Sequence, residues 1–259
     1  LKKYDAIKIF SHFRLFADCL IAIDSLGNNS IYHCLPNLPL DILVSPYVAS
    51  FKRKYSNECE HWYGPELALL PPIYSQSVPP RVFSDDDNKI LITCGGSDPY
   101  SYSIKILNSL SRVDKYLKIK LVLGPLFNSN LLSAIQCYTL HEKHTLELVD
   151  KPSSLLNLMD WCDIAISPSG LTKYELAARG VPSIIFSIDD LHHCANREFN
   201  LIKTSLYIGT SPTSEHFSRQ VFDLLNNKVL RRTLSNNGKR ALDGLGNKRF
   251  LVKVSNYLK

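Results

Sequence analysis

Three short turns carry the residue types that could do chemistry. In Cys94-Gly95-Gly96-Ser97-Asp98-Pro99, two adjacent glycines permit positive φ and close backbone approach. Amides of Gly95, Gly96 and Ser97 could therefore face a phosphate, although a plain tight turn has the same composition. Ser167-Pro168-Ser169-Gly170-Leu171-Thr172 runs into a helix that contains Glu175. Unpaired N–H groups along Ser169, Gly170, Leu171 and Thr172 would suit a diphosphate at a helix N-terminus. A carboxylate one turn in can accept hydrogen bonds from a ribose diol. An ordinary N-capped helix with a capping Glu fits the same residues.

The third turn is Asp189-Asp190-Leu191-His192-His193-Cys194-Ala195-Asn196. Two histidines beside two aspartates invite a metal reading. Neighbouring residues on a helix diverge by about 100°, however, so His192 and His193 would rarely share one ion. The better expectation is that His192, His193 and Asn196 offer polar groups to the same cleft as the other two turns, with no metal and no cofactor. Nucleophilic catalysis has little support, because the chain has no Gly-x-Ser-x-Gly elbow. Its one Gly-x-Gly, Gly244-Leu245-Gly246, follows no strand and lacks the third glycine of a dinucleotide fingerprint. His12, His33 and His61 read as ordinary polar or half-buried histidines.

Short apolar runs alternating with amphipathic stretches must position these turns. Strands are predicted at 89–94, 118–123, 144–149, 163–167, 183–186 and 205–208, and helices at 103–110, 128–138, 153–161, 171–179 and 192–203. Strands buried on both faces and separated by helix-length segments define βαβ units around a parallel sheet, whose carboxyl edge binds ligands. Before residue 88 only 20–24 and 41–45 read as strands, joined by a segment rich in Asn, Pro and His. Between Ser56 and Asp87 lie Pro65, Pro71, Pro72, Pro79 and Pro80 and the acidic run Asp85-Asp86-Asp87, the composition of an interdomain connection. The expected organisation is 1–60 as the end of an N-terminal domain, 61–88 as connection, 89–227 as a domain built on the parallel sheet and 228–259 as basic C-terminal helices.

The 259 residues are 45% hydrophobic and 21% charged, which excludes a disordered chain. Net charge is +6, but nine basic residues against Asp243 give residues 228–259 a charge of +8, leaving −2 for the rest. Apolar residues recur through that segment at helical spacing without interleaved stacking aromatics, so two helices with a solvated basic face are expected rather than a nucleic-acid surface. Seven scattered cysteines without a Cys-x-x-Cys pair read as reduced buried thiols of a cytoplasmic protein. No apolar run approaches the ~18–20 residues needed to span a bilayer. The sequence opens at Leu1 rather than Met, as expected of a processed chain or a piece of a longer one.

Four motifs together resemble a known family. They are Gly64-Pro65-Glu66-Leu67-Ala68-Leu69-Leu70, the 90–99 segment ending in Gly95-Gly96-Ser97-Asp98-Pro99, the 169–182 segment from Ser169-Gly170-Leu171-Thr172 through Glu175 to Gly180-Val181-Pro182, and Asp243-Gly244-Leu245-Gly246-Asn247-Lys248-Arg249. They are similar to the UDP-sugar hydrolases of pseudaminic acid biosynthesis, within the GT-B superfamily that includes the peptidoglycan N-acetylglucosaminyltransferase. His192-His193-Cys194-Ala195-Asn196 resembles that superfamily's His-Gln-x-x-Asn motif, with His193 in place of Gln. The resemblance covers about residues 18 to 252. It implies two Rossmann-like domains of GT-B type facing a cleft, the N-terminal one incomplete here, and a UDP-sugar as the small-molecule partner. By carry-over, Gly170, Leu171 and Thr172 would contact the diphosphate and Glu175 the ribose hydroxyls. Gly95, Gly96 and Ser97 would line the cleft, and His193 and Asn196 would sit near the sugar or distal phosphate. The family's Gly-x-Gly-His motif, with its expected general base or acid, does not occur in these residues. It is expected in a preceding segment on the order of 80 residues long, two or three βα units. A glycosyltransferase of the same architecture and a non-catalytic nucleotide-sugar-binding module are the alternatives.

Overall fold

The computed structural model describes residues 3–24, 38–48, 59–76, 79–139 and 142–259. Residues 25–37 of the segment joining the first two predicted strands, with His33 and Cys34, lie outside the described residues, as does Ser56 at the start of the proline-rich stretch.

The larger sheet contains β4 (Lys89–Thr93), β5 (Leu117–Leu123), β6 (His144–Asp150), β7 (Ile164–Pro168), β8 (Ser183–Ser187) and β9 (Ser205–Thr210), all parallel and in the order β6-β5-β4-β7-β8-β9. Alternation along the strands sends side chains to two cores. Ile90, Ile92, Ile119, Ile164, Ile166 and Ile184 pack under α2 (Tyr102–Leu110), α3 (Ser129–Gln136) and α7 (Ser214–Asn226). Leu91, Val122 and Ala165 face the opposite layer of α4 (Leu156–Trp161), α5 (Thr172–Ala178) and α6 (Asp190–Phe199). The predicted strand and helix order over 89–208 is reproduced with ends shifted by a few residues. Pro168 closes β7, since it has no N–H to extend the ladder.

The smaller sheet is also parallel, β1 (Ile21–Ile23), β2 (Ile42–Ser45) and β3 (Glu60–Tyr63) in sequence order. The first two strands match the sequence reading. The third falls where a strand-poor connection begins, because only Trp62 of Glu60-His61-Trp62-Tyr63 is buried and the run shows no apolar pattern. One face of this sheet packs Ala22, Leu43, Leu38 and Leu40 against Ala6 and Phe10 of α1 (Lys3–Arg14), a helix the sequence reading did not place. The other face packs Ile42, Val44, Trp62 and Leu67 against Phe250 and Val254 of the last helix, α9 (Gly246–Tyr257).

The last helix thus returns to the first sheet, and the glycine motif that precedes it is a joint. A Cβ on Gly246 would lie 2.1 Å from the Ala68 carbonyl oxygen, so only glycine permits this approach. Asn247 donates to the Leu70 carbonyl at 2.7 Å and Arg249 to that of Glu66 at 3.1 Å. The first and fourth family-like motifs therefore fasten to one another. The connection beyond them is held on the large domain. Arg81 donates to the carbonyls of Met159, Cys162 (2.7 Å) and Arg179 (3.3 Å), the carboxyl ends of α4 and α5.

The basic C-terminal segment forms two helices, α8 (Lys228–Ala241) and α9, as expected. Its face is not wholly solvated. Arg231 is completely buried, donating to the carbonyls of Leu224 (2.9 Å), Leu225 and Ser84 (2.7 Å) and to the Asp87 carboxylate (3.0 Å). Lys228 meets Asp85 at 2.8 Å, so the basic helix binds the acidic run. The expectation of buried thiols holds for Cys94 and Cys162 but not for Cys137 and Cys194, which are exposed. No described helix is long and apolar enough to cross a membrane.

Candidate functional site

The sheet order places the chain's reversal between β4 and β7, the switch point at which an open doubly wound sheet leaves a crevice beyond its strand ends. Both glycine-bearing turns flank it. Gly95, Gly96 and Ser97 follow β4 and are exposed, and Ser169, Gly170 and Leu171 follow β7. At the crevice floor Thr93 donates to Ser167 at 3.0 Å, both side chains buried. Buried Asp98 fixes the first loop by accepting from the Tyr102 and Ser103 amides at 2.8 and 2.9 Å and from the Ser103 hydroxyl at 2.6 Å.

Gly170 sits at φ +128° with nothing within 4 Å of where a Cβ would stand, so backbone and open space coincide there. Among the described residues, the backbone N–H groups of Gly170, Leu171 and Thr172 have no partner in the protein. Since α5 has only seven residues, the turn itself rather than a long helix dipole presents these donors. One turn further, burial raises the Glu175 carboxyl above its ordinary value, while hydrogen bonds from Tyr74 and Thr172 act in the opposite sense. Tyr74 is 4% exposed and reaches Glu175 from the connecting segment, Pro72–Ser75. No motif or periodicity in the sequence points to Tyr74.

The third turn divides. Asp189 accepts from the His192 amide at 2.9 Å and meets the His192 ring at 2.6 Å, so it starts α6 and holds His192 to itself. His193 Nδ1 meets the Tyr207 hydroxyl at 2.6 Å, and that hydroxyl meets Ser187 Oγ at 2.8 Å. Asn196 is 1% exposed. Its amide nitrogen donates to Ser169 Oγ (2.8 Å), Ser187 Oγ (2.9 Å) and the Phe186 carbonyl (3.1 Å), and its oxygen accepts from Lys173 Nζ at 2.7 Å. His193 and Asn196 are thereby joined to the Ser169 turn through one polar network. Among the described residues no group of three His, Cys, Asp or Glu could hold a metal ion.

From the smaller domain, the loop after β2 reaches α5: the Val48 amide lies 3.4 Å from the Tyr174 hydroxyl. Tyr47 donates to buried Asp24 at 2.6 Å, and His61 meets Ser45 at 2.9 Å, at the carboxyl edge of the small sheet. His12 is exposed at the end of α1, edge-on to Phe16.

Two parallel-sheet domains, a switch point lined by glycine turns and a last helix returning to the first sheet give the chain an α/β fold of GT-B type. No family model matches the chain. It is 26% identical over 205 residues to the uncharacterized protein MJ1062 of Methanocaldococcus jannaschii, covering 71% of this chain and 42% of that one. It is 23% identical over 208 residues to the spore coat polysaccharide biosynthesis protein SpsG of Bacillus subtilis, covering 80% of this chain and 59% of that one. The chain thus spans about half the length of these curated relatives. Among solved structures, MurG of Acinetobacter baumannii superimposes with a TM-score of 0.71 at 15% identity over 98% of this chain and 72% of its own. HepE of Anabaena in complex with UDP gives 0.66 at 12% identity over 98% and 77%. The MnaA–UDP co-structure from S. aureus gives 0.66 at 14% identity over 99% and 80%.

Proposed function

We propose that the chain binds the nucleoside diphosphate of a UDP-sugar at the switch-point crevice and serves an enzyme that releases UDP from it. The observation that carries this reading is the pairing of two features on one short stretch. Three successive unpaired N–H groups at Gly170, Leu171 and Thr172 precede a half-buried carboxylate, Glu175. The donors suit a diphosphate, and the carboxylate suits a ribose diol. Gly95, Gly96 and Ser97 form the opposite wall, where the sugar or distal phosphate would lie, with His193 beyond the Ser169 turn. The relation to a polysaccharide biosynthesis protein and to folds solved with UDP supports the same ligand class.

Within this reading the reaction is hydrolysis. Water attacks the anomeric carbon and loses a proton to solvent, the bond from that carbon to the phosphate oxygen breaks, and UDP departs with its new charge against the backbone N–H groups. The similarity of the four motifs to pseudaminic-pathway hydrolases favours a diacetamido-trideoxy sugar. No residue of this chain is given the task of general base. Glu175→Ala is expected to weaken UDP binding at least several-fold by titration calorimetry, and unchanged affinity would remove the ribose role. UDP release from a UDP-amino-sugar without acceptor supports hydrolysis. Release only with an added acceptor makes the protein a transferase, and tight binding without turnover makes it a binding module.

A further inference from the structure

Lys173 is an unusual lysine: 4% exposed, on the helix turn that directly follows Gly170, with its ammonium 5.0 Å from the Phe199 ring centroid and 5.6 Å from that of Tyr174. Its ammonium donates to a neutral amide oxygen, Asn196 Oδ1, at 2.7 Å, and the Glu198 carboxylate acts on it through space. Burying an ammonium against a neutral acceptor is costly and is not a device for stability. We propose that Lys173 is a positioning residue for the anion site, orienting the Asn196 amide so that the Ser169 hydroxyl is left as a donor to a bound diphosphate. This inference rests on the nucleotide reading above.

The logic is one of donors and acceptors. An ammonium can only donate, so the atom facing Lys173 must be the Asn196 oxygen, and the amide cannot flip. The Asn196 nitrogen is then directed at Ser169 Oγ and at Ser187 Oγ. Because Ser169 Oγ accepts that bond, its own proton is free to point outward beside the Gly170, Leu171 and Thr172 amides. The same buried charge also adds a positive field behind the turn, in surroundings that screen it poorly.

Charge on Lys173 is also titratable near neutrality. Burial pulls its pKa down to about 8, opposed by Glu198 of α6. The other groups facing it are the Tyr174 and Phe199 rings and the Asn196 amide, while Glu175 and Arg179 share its own helix segment. A diphosphate bound beside it would favour the ammonium, so UDP binding above about pH 8 should draw a proton from solvent. The phosphates of UDP are already fully ionised there. Folding stability should move the other way. The unfolded lysine holds its proton up to its ordinary value, so the folded protein gains stability as pH rises from about 8 toward that value.

The test compares the parent protein and Lys173→Met by titration calorimetry with UDP, in two buffers of different ionisation enthalpy, together with thermal unfolding. The expected result is proton uptake on UDP binding by the parent at about pH 8.5, absent in Lys173→Met. Affinity in the variant should fall at least about ten-fold, with a midpoint of unfolding equal to or above the parent's. A structural lysine would instead lower the midpoint and leave the proton count unchanged. Variant affinity within about two-fold of the parent overturns the proposal, and so does a parent that takes up no proton. Should Lys173→Met fail to fold, the parent's proton uptake alone decides. If the parent binds no UDP at all, the nucleotide reading falls and this inference falls with it. If the parent binds UDP and the variant binds it equally, only the role of Lys173 falls.

Discussion

Glu175 lies half-buried one turn into α5, a placement on a helix that was legible in the sequence because a strand, a serine-glycine turn and a helical stretch occupy consecutive positions. Tyr74 was not, because no periodicity links a tyrosine in a proline-rich connection to a carboxylate on a distant helix. Lys173 was hidden for a different reason: a lysine on a helix reads as solvent-facing until the fold buries it. The Tyr74–Glu175 contact makes a definite prediction. Tyr74 holds the Glu175 carboxylate in its charged form against burial, so Tyr74→Phe should push that carboxyl further up. The acid limb of UDP affinity should therefore move to higher pH in Tyr74→Phe, while affinity on the alkaline side matches the parent's. Glu175→Gln should lose that limb, leaving only the titration of UDP itself. A uniform loss at every pH would show that Tyr74 merely fills space. For folding, the sign is opposite to that of Lys173. Glu175 holds its proton more tightly when folded, so its contribution is fully present at low pH and is lost as pH rises through the folded value.

Among elements, the strands of the large sheet were readable because both faces are buried, which leaves continuous apolar runs such as Lys89-Ile90-Leu91-Ile92-Thr93. The small sheet was half readable. β3 exposes Glu60 and Tyr63 and buries Trp62 alone, and α1 leaves Ile7, Ile9 and Phe13 exposed, so neither carries a clean period. The glycine motif before α9 is a packing device: the Gly246 backbone lies against the Leu67–Ala68 backbone. Gly246→Ala should therefore destabilise the protein by about 1–3 kcal/mol through forced separation of those backbones. Thermal unfolding measures it, and an unchanged midpoint would mean that α9 does not dock as described.

For the whole molecule, the net charge of +6 conceals an internal attachment. The basic helix α8 binds the acidic run through Lys228–Asp85 and Arg231–Asp87, which sequence reading had placed in separate regions. Arg231→Leu strands the carbonyls of Leu224, Leu225 and Ser84 and the Asp87 carboxylate, and should cost about 3–5 kcal/mol in denaturant unfolding. Lys228→Ala, at an exposed pair, should leave the unfolding midpoint nearly unchanged. Equal effects of the two substitutions would refute the distinction between buried and exposed attachment. The returning last helix has a consequence for synthesis. Trp62 and its sheet leave the ribosome well before Phe250 and Val254, which cover them. At about 5–20 residues per second, that apolar face waits uncovered for many seconds. The growing chain therefore carries that face unshielded until α9 is made, and any premature stop before α9 yields a product that can never close it.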